Sequence, residues 1–293
     1  MKKLLLIVNP RAGKAQVKNH LLSIIDQFNG AGYEVTVHVT QAQGDATQVV
    51  MERAMQYNLL VCSGGDGTLS EIIHGLMKLP SPPPFGYIPA GTTNDFASSL
   101  GLARDMGVAA QAIIHGVPFA LDVGKFEEKY FTYIAAFGAF TDVAYETSQQ
   151  EKNDLGHLAY VLEGIKRLGS LHSYPLVITH DGERLEGDFL FGMVTNSTSV
   201  GGFKGLNGKD VLLDDGVFEA VFIRDPKNLG DLQGILTSLV TQGGNSEHVM
   251  SFKARQLTIQ SGEEVPWTLD GEYGGTYRAV AIHNIQRAVT VLR

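Results

Sequence analysis

Leu59-Leu60-Val61-Cys62-Ser63-Gly64-Gly65-Asp66-Gly67-Thr68-Leu69-Ser70-Glu71-Ile72-Ile73 is the stretch whose reading decides the fold. A short apolar run enters a glycine turn. Leu69, Ile72, Ile73, Leu76 and Met77 then recur at helical spacing. The pattern is strand, glycine turn, amphipathic helix. Thr68 and Glu71 stand at capping-box spacing, which places the helix start at Thr68. A glycine loop feeding a helix N-terminus offers backbone N–H groups and the positive end of a dipole, and both favour phosphate. Glycine has no Cβ, so a phosphate can approach the backbone closely. Asp66 sits inside this loop. A carboxylate repels a bare phosphate, so its presence points to Mg2+ or a hydroxyl donor as intermediary. The same residue types also build ordinary strand-to-helix turns, so the decision rests on the remainder of the chain.

Upstream, residues 4–8 form an apolar strand that runs into Asn9-Pro10-Arg11-Ala12-Gly13-Lys14, a second candidate phosphate loop that lacks Walker A spacing. A helix follows over residues 17–28 and stops at Gly30-Ala31-Gly32. Residues 33–39 alternate as a strand closing at Thr40, and residues 45–56 read as a helix. Downstream, Pro80-Ser81-Pro82-Pro83-Pro84 is a stiff spacer. A strand over residues 85–88 then enters Pro89-Ala90-Gly91-Thr92-Thr93-Asn94-Asp95-Phe96. There Thr92, Thr93 and Asn94 suit phosphate or ribose oxygens, or helix capping. A helix near residues 106–114 and a strand near 119–123 complete a β-α succession that predicts a doubly wound α/β sheet. Ligands of such sheets sit at the carboxyl ends of the strands, where Asn9, Thr40 and Gly64 fall.

After Gly124 the pattern changes to short alternating runs near residues 129–136, 176–180, 189–195, 218–223, 256–260 and 278–284. Turn signals lie at Asp181-Gly182, Asp215-Gly216, Ser261-Gly262 and Asp270-Gly271. This predicts a mainly antiparallel β domain, a β-sandwich, interrupted by helices near residues 155–168 and 229–241. The expected division is an N-terminal domain of residues 1–122, completed by a returning strand at 286–293, and a β-rich domain of residues 123–285.

The 293 residues are 44% hydrophobic and carry a formal charge of −8. An acidic chain is a poor general binder of nucleic acid. The single cysteine, Cys62, lies in an apolar strand, which fits a buried thiol and a reducing cytoplasm. The apolar start, residues 4–8, is too short for a signal peptide and reads as a buried strand. No apolar run approaches the roughly 20 residues needed to span a bilayer, so any membrane contact is peripheral. Trp267 reads as core, Asp122 as a turn or cap, and the nine histidines lack metal-ligand spacing.

Four motifs share one order: Asn9-Pro10-Arg11-Ala12-Gly13, Gly64-Gly65-Asp66-Gly67-Thr68, Gly91-Thr92-Thr93-Asn94-Asp95-Phe96 and Leu269-Asp270-Gly271-Glu272. In that arrangement the chain resembles the superfamily of diacylglycerol kinases and sphingosine kinases, and most of all its bacterial soluble branch. The glycine loop alone is shared with NAD kinases and 6-phosphofructokinases, and the first domain is expected to be of that type. The resemblance implies two domains with ATP in the cleft between them, and transfer of the γ-phosphoryl group to a lipid hydroxyl, diacylglycerol giving phosphatidic acid. By position, Asn9, Thr40, Gly64, Gly65, Asp66, Gly67, Thr68, Leu69, Ser70, Thr92 and Asn94 would bind ATP. Asp66 would help hold a catalytic Mg2+, and Asp270 or Glu272 would be the general base, with Glu272 favoured. A structural Mg2+ would take the Asp215 carboxylate and the Leu212 and Val217 carbonyls. Ser70 stands where the family often has Asn, and Val217 where it often has an aromatic residue.

The implied setting is cytoplasmic, at the inner face of a membrane. Lys166 and Arg167, beside Leu168, Leu171 and Tyr174, offer a membrane-docking edge. A homodimer through the β domain is compatible with the sequence. Two other classes remain: a soluble-substrate kinase of the NAD kinase type, and a nucleotide- or lipid-binding regulator without turnover. The acidic pair at Asp270 and Glu272 weighs against the regulator, since binding alone needs no general base.

Overall fold

The computed structural model describes residues 1–13, 17–138, 172–200, 203–204, 211–241 and 247–293. The chain divides into two compact units, Met1–Val123 with Ile285–Arg293, and Gly124–Asn284.

In the first unit, strands and helices alternate. They are β1 (Lys2–Val8), α1 (Val17–Gly30), β2 (Tyr33–Val39), α2 (Asp45–Arg53) with a 3-10 turn (Ala54–Gln56), β3 (Leu59–Gly64), α3 (Asp66–Leu76), β4 (Phe85–Pro89), α4 (Asp95–Leu100) and α5 (Met106–His115). The strands pair in parallel in the order β4-β3-β1-β2. Alternation sends Leu4, Leu6, Leu59, Val61 and Ile88 to one face, where they meet Ile24 and Phe28 of α1 and Ala110 and Ile113 of α5. Leu5, Ile7, Leu60 and Cys62 point the other way and are also fully buried. A sheet buried on both faces needs helices on both, which is the physical meaning of its nearly unbroken apolar strands. Helices α2 and α3 pack so closely that a Cβ on Gly75 would stand 2.6 Å from Val50 Cβ. Burial raises the pKa of the Cys62 thiol, in keeping with an inert core residue.

The C-terminus returns to this unit. Val291 pairs in parallel with Phe85, and Arg293 exchanges two backbone hydrogen bonds with Val117. Asp122 secures the return. It is fully buried within β5 (Pro118–Phe126), and its carboxylate accepts from Arg287 N at 2.8 Å. The sequence reading of Asp122 as a strand-end cap is corrected accordingly.

The second unit is built from antiparallel strands. They are β6 (Lys129–Phe131), β7 (Ile134–Gly138), β8 (Tyr174–His180), β9 (Glu183–Thr195), β10 (Ser199–Val200), β11 (Phe203–Lys204), β12 (Phe218–Arg224), β13 (Val249–Ala254), β14 (Gln256–Leu269) and β15 (Glu272–Leu292). Helix α6 (Leu229–Thr241) follows β12, where the sequence places a helix. Both β9 and β14 pair with β8 along one half and with β7 along the other, so β7 and β8 lie end to end between them. The sandwich expected from alternation is therefore, among the described residues, one hydrogen-bonded path β13-β12-β9-β7-β14-β15 with β10–β11 apart. The expected turn at Ser261-Gly262 is also absent: β14 continues through it with a register shift between Gln260 and Val265. Trp267, 1% exposed, anchors the core, with ring centroids 5.0 Å from Phe126 and 4.9 Å from Phe137. On the opposite face Leu232 and Ile235 of α6 cover Met193, Val221 and Ile223.

The helix expected near residues 155–168, with Lys166 and Arg167, lies outside the described residues. Among the described residues no helix is long and apolar enough to cross a membrane. Trp267→Ala removes the largest core side chain and should cost about 3–5 kcal/mol. Urea titration followed by circular dichroism measures the loss, and a cost below about 1 kcal/mol would contradict the core assignment.

Candidate functional site

The loops after β1, β3 and β4 meet through backbone. A Cβ on Gly91 would stand 2.7 Å from Gly65 Cα, and one on Gly13 would stand 2.4 Å from Ala90 O. Such approaches exclude any side chain, so the glycines are fixed by packing as well as by turn geometry. Gly13 also has φ +52. Side chains then bolt the loops together. Asn9 Nδ2 donates to Thr68 Oγ1 at 2.8 Å, and Asn9 Oδ1 accepts from Arg11 N at 2.9 Å. Tyr87 Oη lies 3.2 Å from Gly64 O and 3.1 Å from Asn94 Oδ1, so one buried hydroxyl links both loops. Thr40 is held at the end of β2 by its N–H to Val8 O, 2.9 Å.

The helix starts differ from the sequence expectation. Helix α3 begins at Asp66, with Gly65 as its N-cap, and not at Thr68. Glu71 makes no capping box; its carboxylate accepts from Gly44 N at 2.8 Å and Ala46 N at 3.2 Å, at the start of α2. Asp66 Oδ2 accepts from Asp95 N at 3.1 Å, and Oδ1 from Phe96 N at 3.4 Å, at the start of α4. The carboxylate inside the phosphate loop thus satisfies amides that α4's own N-cap, Asn94, leaves to others. Helix α3 receives no side-chain cap from its own N-cap glycine, and its first turn carries Asp66.

Of the expected nucleotide contacts, Asn9, Thr40, Gly64, Gly65, Asp66, Gly67, Thr68 and Thr92 cluster at the carboxyl ends of β1 to β4, and Thr92 is exposed. Two of the expected contacts have buried side chains. Leu69 is 1% exposed in the core, and its N–H donates to Gly65 O within the helix. Asn94, with φ +53, is buried; its Oδ1 accepts from Gly91 N at 3.1 Å, and its Nδ2 donates to Gly91 O at 2.9 Å. Both shape the loops from within. Tyr87 and Glu71 escaped the sequence reading. The trace of Tyr87 is a lone hydroxyl in an otherwise apolar strand, and Glu71 was assigned to a local cap.

In the second unit, Asp270 and Gly271 have φ +50 and +81 and form the two-residue turn joining β14 to β15, with Leu269 opposite Glu272. The Asp270 side chain is 5% exposed. Oδ2 accepts from Thr132 N at 2.7 Å, and Oδ1 from Tyr133 N at 3.0 Å and Ile134 N at 3.2 Å. This cradle explains why residues 129–136, expected as one strand, break into β6 and β7. Glu272 is exposed at the strand start. The two carboxylates thus have different surroundings: Asp270 is bound by backbone, and Glu272 is exposed.

The loop carrying Leu212, Asp215 and Val217 turns at Gly216, φ +82, with Asp215 Oδ1 accepting from Val217 N at 3.2 Å. Beside it Glu219 is 3% exposed, and its carboxylate faces the Lys253 ammonium. Lys253 Nζ lies 3.1 Å from Glu219 Oε1 and 3.9 Å from Asp215 Oδ2. Burial pushes the Glu219 carboxyl up to about 7. Among the described residues no three His, Cys, Asp or Glu side chains form a metal cluster. A cation here would therefore draw on one carboxylate, carbonyls and water. Those hard oxygen donors fit Mg2+.

Residues 3–126 match the diacylglycerol kinase catalytic domain. The chain is 38% identical to a diacylglycerol kinase of Bacillus subtilis over 278 residues, covering 94% of this chain and 91% of that one. It is 37% identical to a diacylglycerol kinase of Staphylococcus carnosus over 92% of this chain and 88% of that one. A crystal structure of a diacylglycerol kinase from Bacillus anthracis superposes with a TM-score of 0.78 at 26% identity, over 99% of this chain and 96% of that one.

Asp270→Asn keeps the shape and the tolerance for a left-handed turn but turns one acceptor into a donor facing an N–H. It should destabilise the protein by about 1–3 kcal/mol. Denaturant unfolding reads this, and a parent-like midpoint would remove the cradle from the account.

Proposed function

The chain belongs to the diacylglycerol kinase family, and from that premise we infer that it is an ATP-dependent lipid kinase whose acceptor is the free hydroxyl of diacylglycerol. The observation that carries this reading is the reach of the similarity, which takes in 94% of the chain and both of its units. A domain that merely shared the glycine loop would not extend it into the β-rich half.

In this reading the amides of Gly64 to Thr68 receive the phosphates, helped by the dipole of α3. Asn9, Thr40, Ser70 and Thr92 contact the nucleotide, while Leu69 and Asn94 hold the loop shape. Phosphoryl transfer asks for positioning and charge neutralisation more than covalent chemistry. The lipid oxygen forms a bond to the γ-phosphorus as the bond to the β–γ bridging oxygen breaks, releasing ADP. Exposed Glu272 takes the hydroxyl proton, since the oxygens of Asp270 already serve three backbone donors. Mg2+, when bound, screens the phosphate charge that otherwise repels the acceptor. Asp66 would hold it in part; a carboxylate has about four lone-pair sites, so its bonds to α4 leave room for a metal. Leu212, Asp215 and Val217 would hold a second, structural ion.

The acceptor resides in a bilayer, so turnover requires peripheral contact with a lipid surface. A homodimer through the β-rich unit belongs to the same proposal and would appear as twice the chain mass in sedimentation.

Labelled ATP, Mg2+ and a panel of lipid alcohols in mixed micelles test the function. Label should enter the organic phase as phosphatidic acid. Label that moved to NAD and to no lipid would replace the reading by a soluble-substrate kinase, and ATP binding without lipid-dependent ADP release by a regulator. Glu272→Gln should lower kcat about 100-fold or more with an unchanged unfolding midpoint. Activity within a few fold of the parent would remove Glu272 as the base.

A further inference from the structure

We propose that Glu71 is a positioning residue for nucleotide binding, tying the loop that carries Thr40 to the segment Gly64–Ser70; the proposal rests on the ATP reading above. Helix α2 starts without a cap of its own. Its N-cap is Gly44, φ +85, which has no side chain to offer. The next residue, Asp45, is turned backwards: Oδ2 accepts from Gln41 N at 2.7 Å and lies 3.1 Å from His38 Nε2. The opening amides of α2 are served from α3 instead. Glu71 Oε1 accepts from Gly44 N at 2.8 Å and Oε2 from Ala46 N at 3.2 Å, while Thr47 Oγ1 donates to Glu71 O at 2.7 Å.

The placement gives these bonds a functional consequence. Glu71 follows Ser70, the last residue of the glycine segment, within one rigid helix. Gly44 closes the short loop that begins at Thr40. The carboxylate therefore fixes the spacing of two strand-end segments that would hold the nucleotide together. Charge-assisted bonds at a helix N-terminus are strong, because the amides and the dipole both favour the anion. Thr40 N is separately held by Val8 O. Loss of the Glu71 carboxylate thus unfastens the Gly44 and Ala46 amides, while Asp45 still holds Gln41 N, and weakens the nucleotide contact without freeing β2.

The effect belongs in ATP affinity and not in the chemical step. Glu71→Ala should raise the Kd for a non-hydrolysable ATP analogue, and the KM for ATP, about tenfold. Glu71→Gln, which keeps one acceptor oxygen, should raise both about threefold. In both variants kcat at saturating ATP should stay within about twofold of the parent. Calorimetric titration of the full chain and steady-state kinetics read these quantities, and hydrogen exchange should quicken locally at residues 41–48. Parent-like affinity in both variants, or a fall in kcat with the nucleotide constants unmoved, overturns the assignment. Should Glu71→Ala fail to fold, Glu71→Gln decides alone, weaker binding supporting the brace and parent-like binding overturning it. A parent that bound the analogue yet phosphorylated no lipid would overturn the lipid kinase reading, while the variants' affinities would still judge the brace.

Discussion

Gly65 and Gly91 touch backbone to backbone, and the arrangement of the first unit's ligand end depends on that contact. A side chain on Gly91 would collide with Gly65 Cα at 2.7 Å and with Asn94 Oδ1 at 2.8 Å. With Gly91 bare, the loops after β3 and β4 approach closely enough for Tyr87 to bridge Gly64 O and Asn94. The same approach lets Asp66 reach the first amides of α4. Steric absence at Gly91 thereby sets the positions of several polar residues.

Helix α3 contributes an acidic side chain to each of its neighbours: Asp66 to α4 and Glu71 to α2. Each satisfies orphan amides that would otherwise carry a cost when shielded from water. This exchange explains how a carboxylate comes to sit in a loop suited to phosphate. Two backbone donors already share its charge, so its repulsion of an incoming anion is reduced before any metal is considered.

Buried acids act similarly elsewhere, each as a fastener for backbone. Asp270 gathers three successive N–H groups, and Asp122 fixes the returning C-terminal strand through Arg287 N. Glu219 breaks the pattern. It is just as buried, yet its partner among the described residues is a side chain, the Lys253 ammonium 3.1 Å away, where the other acids bind backbone N–H groups. That difference sets the loop at Asp215 apart from the ordinary turns of the β-rich unit.

The order of elements and the strand-end loops were legible in the sequence, because hydrophobic period and glycine turns are local properties. Residues 59–73 alone specify strand, loop and helix, and the Asp270-Gly271 pair specifies a hairpin, since few residues accept positive φ. The partners of polar side chains were not legible. Thr68 and Glu71 have the spacing of a local cap, yet Glu71 bonds to residues 44 and 46, and Asp66 to residues 95 and 96. The distinction between Asp270 and Glu272 was equally hidden, because it comes from amides at 132–134 brought there by strand pairing. Sequence by itself determined the order of strands and helices in the first unit and the glycine turns at its strand ends. Tertiary structure alone decided which acid is a fastener and which is presented, because a hydrogen bond depends on distance in space and not on separation along the chain.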